Sequence, residues 1–84
     1  MVTVKLFGTL RLDSGIKSLE VEADTVRDIY PLVMAEILRA SPDTEIKEKD
    51  IRSCMVSVNE KKANGRTKLQ NGDIVYIIPP AAGG

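Results

Sequence analysis

Apolar and polar side chains alternate through residues 2–7. Val2, Val4 and Leu6 fall on one side of an extended chain, and Thr3, Lys5 and Phe7 on the other. That period of two is the mark of a half-buried strand, and Gly8 reads as its end. Ser18 to Glu22 repeats the pattern, with Leu19 and Val21 inward and Ser18, Glu20 and Glu22 outward. The Asp13-Ser14-Gly15 cluster between them supplies turn chemistry, so the two strands are expected to form a hairpin.

The period then changes to that of a helix. Thr25 suits an N-cap, and Asp28, three residues on, can reach back to it as the acidic partner of a capping box. Val26, Ile29, Tyr30, Val33 and Ile37 follow on one apolar face. Pro31 lies too deep for the first turn, which predicts a distorted opening or a regular helix that begins at Pro31. Ser41-Pro42 stops the helix. Residues 41–53 are mostly polar and read as a long connection.

Cys54 to Asn59 reads as a third strand with Cys54, Val56 and Val58 inward. Glu60 to Lys68 reads as a polar loop turning at Asn64-Gly65, with Leu69 as an isolated apolar anchor before a second turn at Asn71-Gly72. Asp73 to Ile78 is a last strand, apolar on both faces. The expected order is hairpin, helix, strand, connection, strand. One helix can cover only one face of a sheet, and a crossover through it leads to parallel, right-handed pairing. The fold class is therefore α+β: a β-grasp (ubiquitin-like) domain over residues 1–78. Its mixed sheet would have four to five strands, crossed on one face by one main helix. Residues 79–84 form an extended tail.

Composition narrows the function. Twelve basic residues balance twelve acidic ones over 84 residues, so no net field draws in nucleic acid or an anionic membrane. There is no His and only one Cys, Cys54. Metal sites built from His and Cys clusters, Ser-His-Asp triads and disulfide scaffolds are excluded, and a reducing cytoplasmic compartment is expected. No apolar run approaches a membrane span or a signal peptide. Cys54 shares its strand face with Val56 and Val58, so packing outweighs a reactive thiol as its role. The Glu45 to Arg52 run of mixed charge reads as solvated surface, and no Gly-rich phosphate loop is present. The chain is expected to catalyse nothing by itself and to bind no metal or cofactor.

The last six residues carry the chemistry. A terminal Gly-Gly pair arises by chance in about one chain in two hundred at ordinary glycine usage. Pro79 and Pro80 lack N–H donors and favour extended backbone, so pairing stops there and a stiff spacer begins. Ala81, Ala82, Gly83 and Gly84 then taper the chain; six extended residues span at most about 20 Å. A tip without side chains fits a narrow slot. The α-carboxylate of Gly84 is a poor acyl donor until activated, most simply as an acyl-adenylate made by another enzyme. Sulfur can then displace the adenylate to leave a thiocarboxylate, which makes the chain a group carrier. A disordered tail is the plain alternative.

Several segments together resemble the ubiquitin-like sulfur carriers, most closely the small subunit of molybdopterin synthase (the MoaD family), with the thiamin-pathway ThiS proteins as relatives. They are the opening Val2 to Arg11, Thr25-Val26-Arg27-Asp28, Val58-Asn59, and Asn71-Gly72-Asp73-Ile74-Val75 running into Pro79-Pro80-Ala81-Ala82-Gly83-Gly84. The resemblance implies that a ubiquitin-activating-type enzyme adenylates Gly84 with ATP and that the carboxylate becomes a thiocarboxylate. The tail would then enter the large subunit of a molybdopterin synthase and pass sulfur to a pyranopterin precursor. It leaves two alternatives open: a ubiquitin-like modifier joined to target lysines through Gly84, and a sulfur carrier for the thiamin thiazole.

Strand parity also implies a docking face. If Val75 and Ile77 lie under the helix, Ile74, Tyr76 and Ile78 lie on the open face with Phe7 and Met55. Apolar side chains facing water fit a partner, unless loop 60–68 folds over them.

Overall fold

The computed structural model describes residues 1–80. Strand β1 (Val2–Leu6) buries Val2, Val4 and Leu6, as the alternation requires. It does not lead into a simple hairpin. Gly8 opens a short helix, α1 (Gly8–Ser14), that ends on Gly15 in the left-handed conformation, φ 75°. Helix α1 buries Leu10 and Ser14, and the Ser14 hydroxyl donates to the Leu10 carbonyl while accepting the Ile16 N–H at 3.1 Å. The Asp13-Ser14-Gly15 cluster is thus a helix C-cap rather than a turn. Strand β2 (Ser18–Val21) does pair antiparallel with β1, Val2 opposite Val21.

Helix α2 (Val26–Ala40) begins at Thr25 as expected. The Asp28 carboxylate accepts the Thr25 N–H at 3.3 Å and the Thr25 hydroxyl at 3.0 Å. Pro31 neither delays nor breaks the helix. It removes the N–H that would have reached the Arg27 carbonyl, but Arg27 and Pro31 are both exposed, so that carbonyl faces solvent and the loss is small. Val26, Ile29, Val33 and Ile37 are wholly buried.

The polar stretch after α2 contains a further helix, α3 (Glu48–Arg52), where a featureless connection was expected. Ile51 is its anchor and has no exposed surface. Strand β3 (Met55–Val58) is shorter than expected and begins after Cys54. A fifth strand, β4 (Lys61–Ala63), lies in what reads as loop. Asn59 and Glu60, both at positive φ (50° and 72°), form the two-residue turn that joins it to β3, with Val58 opposite Lys61.

Strand β5 (Ile74–Ile78) completes the sheet, whose order is β2-β1-β5-β3-β4. Strands β1 and β5 run parallel, and β3 runs antiparallel to β5. The crossover through α2 therefore joins β2 to a strand three places away, with β1 and β5 between them. This five-strand mixed sheet with helices on one face is the β-grasp arrangement. Its core joins Val4, Leu6, Val75 and Ile77 of the sheet to the buried face of α2 and to Ile51.

Candidate functional site

The site grows from β5, the central strand. Val75 and Ile77 point into the core with no exposed surface, so Ile74, Tyr76 and Ile78 are left on the opposite face. Register then assembles the rest. Tyr76 lies between Lys5 and Ser57, and Ile78 lies beside Met55. Phe7, just past β1, stacks on Tyr76 with ring centroids 5.9 Å apart. Met55 is 61% exposed and Ile78 40%, while Ile74, Tyr76 and Phe7 are half-buried. The structure thus brings together Phe7, Met55, Tyr76 and Ile78 at the end of β5 from which the chain leaves the sheet. Ile74 sits at the other end of the strand, beside Thr3.

Segment 60–68 does not cover this face. Residues 61–63 extend the sheet edge, and the Gly65 and Thr67 carbonyls accept the Arg27 and Val26 N–H groups, each at 3.0 Å. The segment is therefore tied to the start of α2, on the helix side. An apolar patch facing water beside an exit strand is costly alone and fits a protein partner.

The exit itself is shaped by Gly8. Its φ is +58°, and a Cβ placed there would approach the Pro79 Cγ to 3.2 Å. Only glycine lets the start of α1 lie so close under the chain where it leaves β5. Pro79 and Pro80 also line an open groove of about 610 Å³. Its other walls include Leu10 of α1, Ile46, and Asp50 of α3. Sequence reasoning missed this groove because it missed both short helices. The one available signal was Gly15, which can cap a helix as readily as turn a hairpin.

Cys54 is at the groove wall, half-buried against the core, and is not on the β3 ladder. Its thiol donates to the Asp50 carbonyl at 3.2 Å. Burial, reinforced by the Asp50 carboxylate, pushes the thiol above its ordinary range. A thiol held protonated is a poor nucleophile, so Cys54 serves packing. The expected tail residues Ala81, Ala82, Gly83 and Gly84 lie outside the described residues.

Asn59, in the β3–β4 turn, and Asp73 brace the start of β5. The Asn59 side chain donates to the Asp73 carboxylate at 2.8 Å and accepts the Ile74 N–H at 3.0 Å. Asp73 also accepts the Gln70 N–H at 2.8 Å, and these bonds, the backbone one foremost, lower its pKa. Among the described residues, no group of three His, Cys, Asp or Glu side chains is placed to hold a metal ion, and no helix is long and apolar enough to cross a membrane.

Comparison with known proteins agrees with this geometry. A model of the ThiS family matches residues 4–84. No curated protein matches the chain. Among solved structures, small archaeal modifier protein 1 (SAMP1) of Haloferax volcanii is 27% identical. Its TM-score is 0.67, covering 99% of this chain and 98% of that one. Molybdopterin converting factor subunit 1 of Pyrococcus furiosus shares the fold at TM-score 0.69 and 22% identity, over 95% and 97% of the two chains. A chain from the complex of subunits 1 and 2 of the Helicobacter pylori molybdopterin-converting factor does so at 0.61 and 21%, over 99% and 97%.

Proposed function

This chain belongs to the ThiS family of ubiquitin-like sulfur carriers, and from that premise we propose that it serves molybdopterin synthesis as the sulfur-donating small subunit of a synthase. The observation that carries the reading is the continuity of two features. The apolar face made by exposed Met55 and Ile78 with half-buried Phe7 and Tyr76 runs directly into Pro79-Pro80 and the Ala81-Ala82-Gly83-Gly84 sequence beyond. A partner that covers the patch receives the tail in the same encounter.

In this reading the chain is not itself an enzyme. A ubiquitin-activating-type enzyme joins the Gly84 carboxylate to AMP from ATP and releases pyrophosphate. Hydrosulfide then attacks the acyl carbon, the bond to AMP breaks, and a thiocarboxylate and a proton are left. The large synthase subunit covers the sheet face, and the tail enters its active site. The thiocarboxylate sulfur bonds to a carbon of the pyranopterin precursor as that carbon's bond to an oxygen substituent breaks and the oxygen leaves with the electron pair. Water then cleaves the acyl–sulfur bond, leaving a thiolate on the pterin and returning Gly84 to the carboxylate. The tail supplies reach, and the absence of side chains at Gly83 and Gly84 admits it to a narrow channel. The protein needs ATP only through its partner and binds no cofactor.

The likeness to SAMP1 favours one second reading, attachment of Gly84 to target lysines. The two separate in a reconstitution with thiocarboxylated chain, a large synthase subunit and pyranopterin precursor. Dithiolene product, with loss of sulfur from Gly84, supports the carrier. Lysine conjugates in cell extract, with no sulfur transferred to the pterin, would replace it with the modifier.

A further inference from the structure

A second concavity, of about 550 Å³, lies where segment 64–66 meets the start of α2 and the end of α3. It shares no lining residue with the groove at Pro79 or with the patch around Tyr76. Three arginines from three separate segments line it: Arg27 in the first turn of α2, Arg52 at the end of α3, and Arg66 in the loop. Arg66 is positioned by a tight turn, in which its N–H reaches the Asn64 side-chain oxygen at 2.8 Å and the Thr67 N–H reaches the Asn64 carbonyl at 3.0 Å.

These arginines are only partly satisfied. Among the described residues, Arg27 and Arg66 form no ion pair. Arg52 binds Glu48 through Nε and Nη2, at 3.0 and 2.8 Å, and rests 5.3 Å from the Tyr30 ring centroid. Its Nη1 donors stay available. The three guanidiniums less the Glu48 carboxylate leave two positive charges, in a protein whose formal charges sum to zero.

Tyr30 adds a neutral donor to the three cationic ones. It is only 6% exposed and lines this cavity, yet its hydroxyl makes no hydrogen bond among the described residues. No fully buried side-chain oxygen or nitrogen there lacks a partner, so the exposed sliver of Tyr30 must include its oxygen. With its ring buried and its oxygen accessible, the phenol can donate to a group seated in the cavity. Helix amides are not the attraction, because the Val26 and Arg27 N–H groups are already bonded to loop carbonyls.

We propose that Arg27, Arg52, Arg66 and the Tyr30 hydroxyl form a binding site for the phosphate group of a small phosphorylated molecule. Donors from four side chains that line one cavity suit a tetrahedral dianion, whereas a carboxylate offers two oxygens in one plane. Two net positive charges match the dianion, and the cavity has room for the organic group of an ester. The site does not depend on the fate of Gly84.

The test is a titration of the full chain with pyrophosphate, then inorganic phosphate, followed by backbone amide shifts at about 150 mM salt, an ionic strength that screens exposed charges. Saturable shifts centred on Arg27, Gly65 and Arg66 are expected. The paired variant Arg27→Gln, Arg66→Gln should weaken binding about tenfold or more, and Tyr30→Phe about fivefold. Both variants should unfold at temperatures near that of the parent, and a folding check accompanies them. No saturation overturns the proposal. So do shifts spread equally over Lys61, Lys62 and Lys68 that persist in the paired variant. Tighter binding of succinate, or of an acidic peptide, than of pyrophosphate overturns the assignment to phosphate.

Discussion

Replacing Gly8 by alanine tests whether the path of the tail is built into the fold. At φ +58° an L-residue sits in the left-handed region, which costs about 1–2 kcal/mol. Alanine also stiffens the unfolded chain and returns about 0.4–1 kcal/mol. Gly15 offers an internal reference, because its φ is +75° but nothing lies within 4 Å of an added Cβ. Gly15→Ala should therefore cost only the difference, about 0.5–1.5 kcal/mol. Gly8→Ala carries the additional 3.2 Å approach to the Pro79 Cγ, worth about 0.5–1 kcal/mol of crowding. The total of about 1–2.5 kcal/mol corresponds to a Tm lowered by roughly 5–15 °C in a domain of this size. Urea unfolding of both single variants, of Pro79→Ala and of the double variant Gly8→Ala, Pro79→Ala completes a cycle. The excess cost of Gly8→Ala should vanish when Pro79 is alanine. Equal costs at Gly8 and Gly15, with no coupling to Pro79, would refute the claim that Gly8 positions the exit of the chain.

Other consequences can be measured alongside. Ile78→Lys places an ammonium in the proposed docking patch and should weaken binding to a large synthase subunit about tenfold or more, leaving the Tm nearly unchanged; unaltered affinity in a calorimetric titration would remove the patch from the account. Glu60→Gly relieves a non-glycine residue at φ 72° and should raise stability by about 0.5–1 kcal/mol in urea unfolding. Asp73, held below its ordinary value of 3.8, contributes stability that is present above its unfolded pKa and is lost as pH falls through the folded value. Asp73→Asn should flatten the acid limb of a stability–pH profile between about pH 5 and 2. The raised Cys54 thiol contributes stability below its unfolded pKa and loses it as pH rises through the folded one. Stability should therefore begin to fall above about pH 9 and do so less steeply in Cys54→Ala, where only the raised Tyr30 phenol remains, and Ellman's reagent should react slowly with the native protein at pH 7.

What the chain's pattern revealed and what it hid follow from where the stabilising contacts come from. The alternation of β1 and the periodicity of α2 are local and extended, so both were legible, as was the parity that sets Tyr76 and Ile78 opposite Val75 and Ile77. The short helices were not. Helix α1 has seven residues and α3 five, below the length at which a helix holds by itself, so each exists because one side chain, Leu10 or Ile51, is buried by distant parts of the chain. Strand β4 reads Lys-Lys-Ala, polar as an exposed edge should be, and its turn uses Asn59-Glu60 where Asn-Gly would have announced a hairpin. Pro31 warned of a break that did not come, because its neighbours' carbonyls face water. That Phe7, Met55, Tyr76 and Ile78 share one sheet face was legible through parity, whereas the Arg27, Arg52 and Arg66 cluster needed three segments brought together and could not be seen along the chain.

The most direct test of the central claim is the intact mass of the protein after incubation with ATP, hydrosulfide and an activating enzyme of the ubiquitin-activating type. The account predicts a gain equal to one oxygen replaced by one sulfur, lost when Gly84 is deleted. An unchanged mass, or the same gain in the protein lacking Gly84, would contradict it.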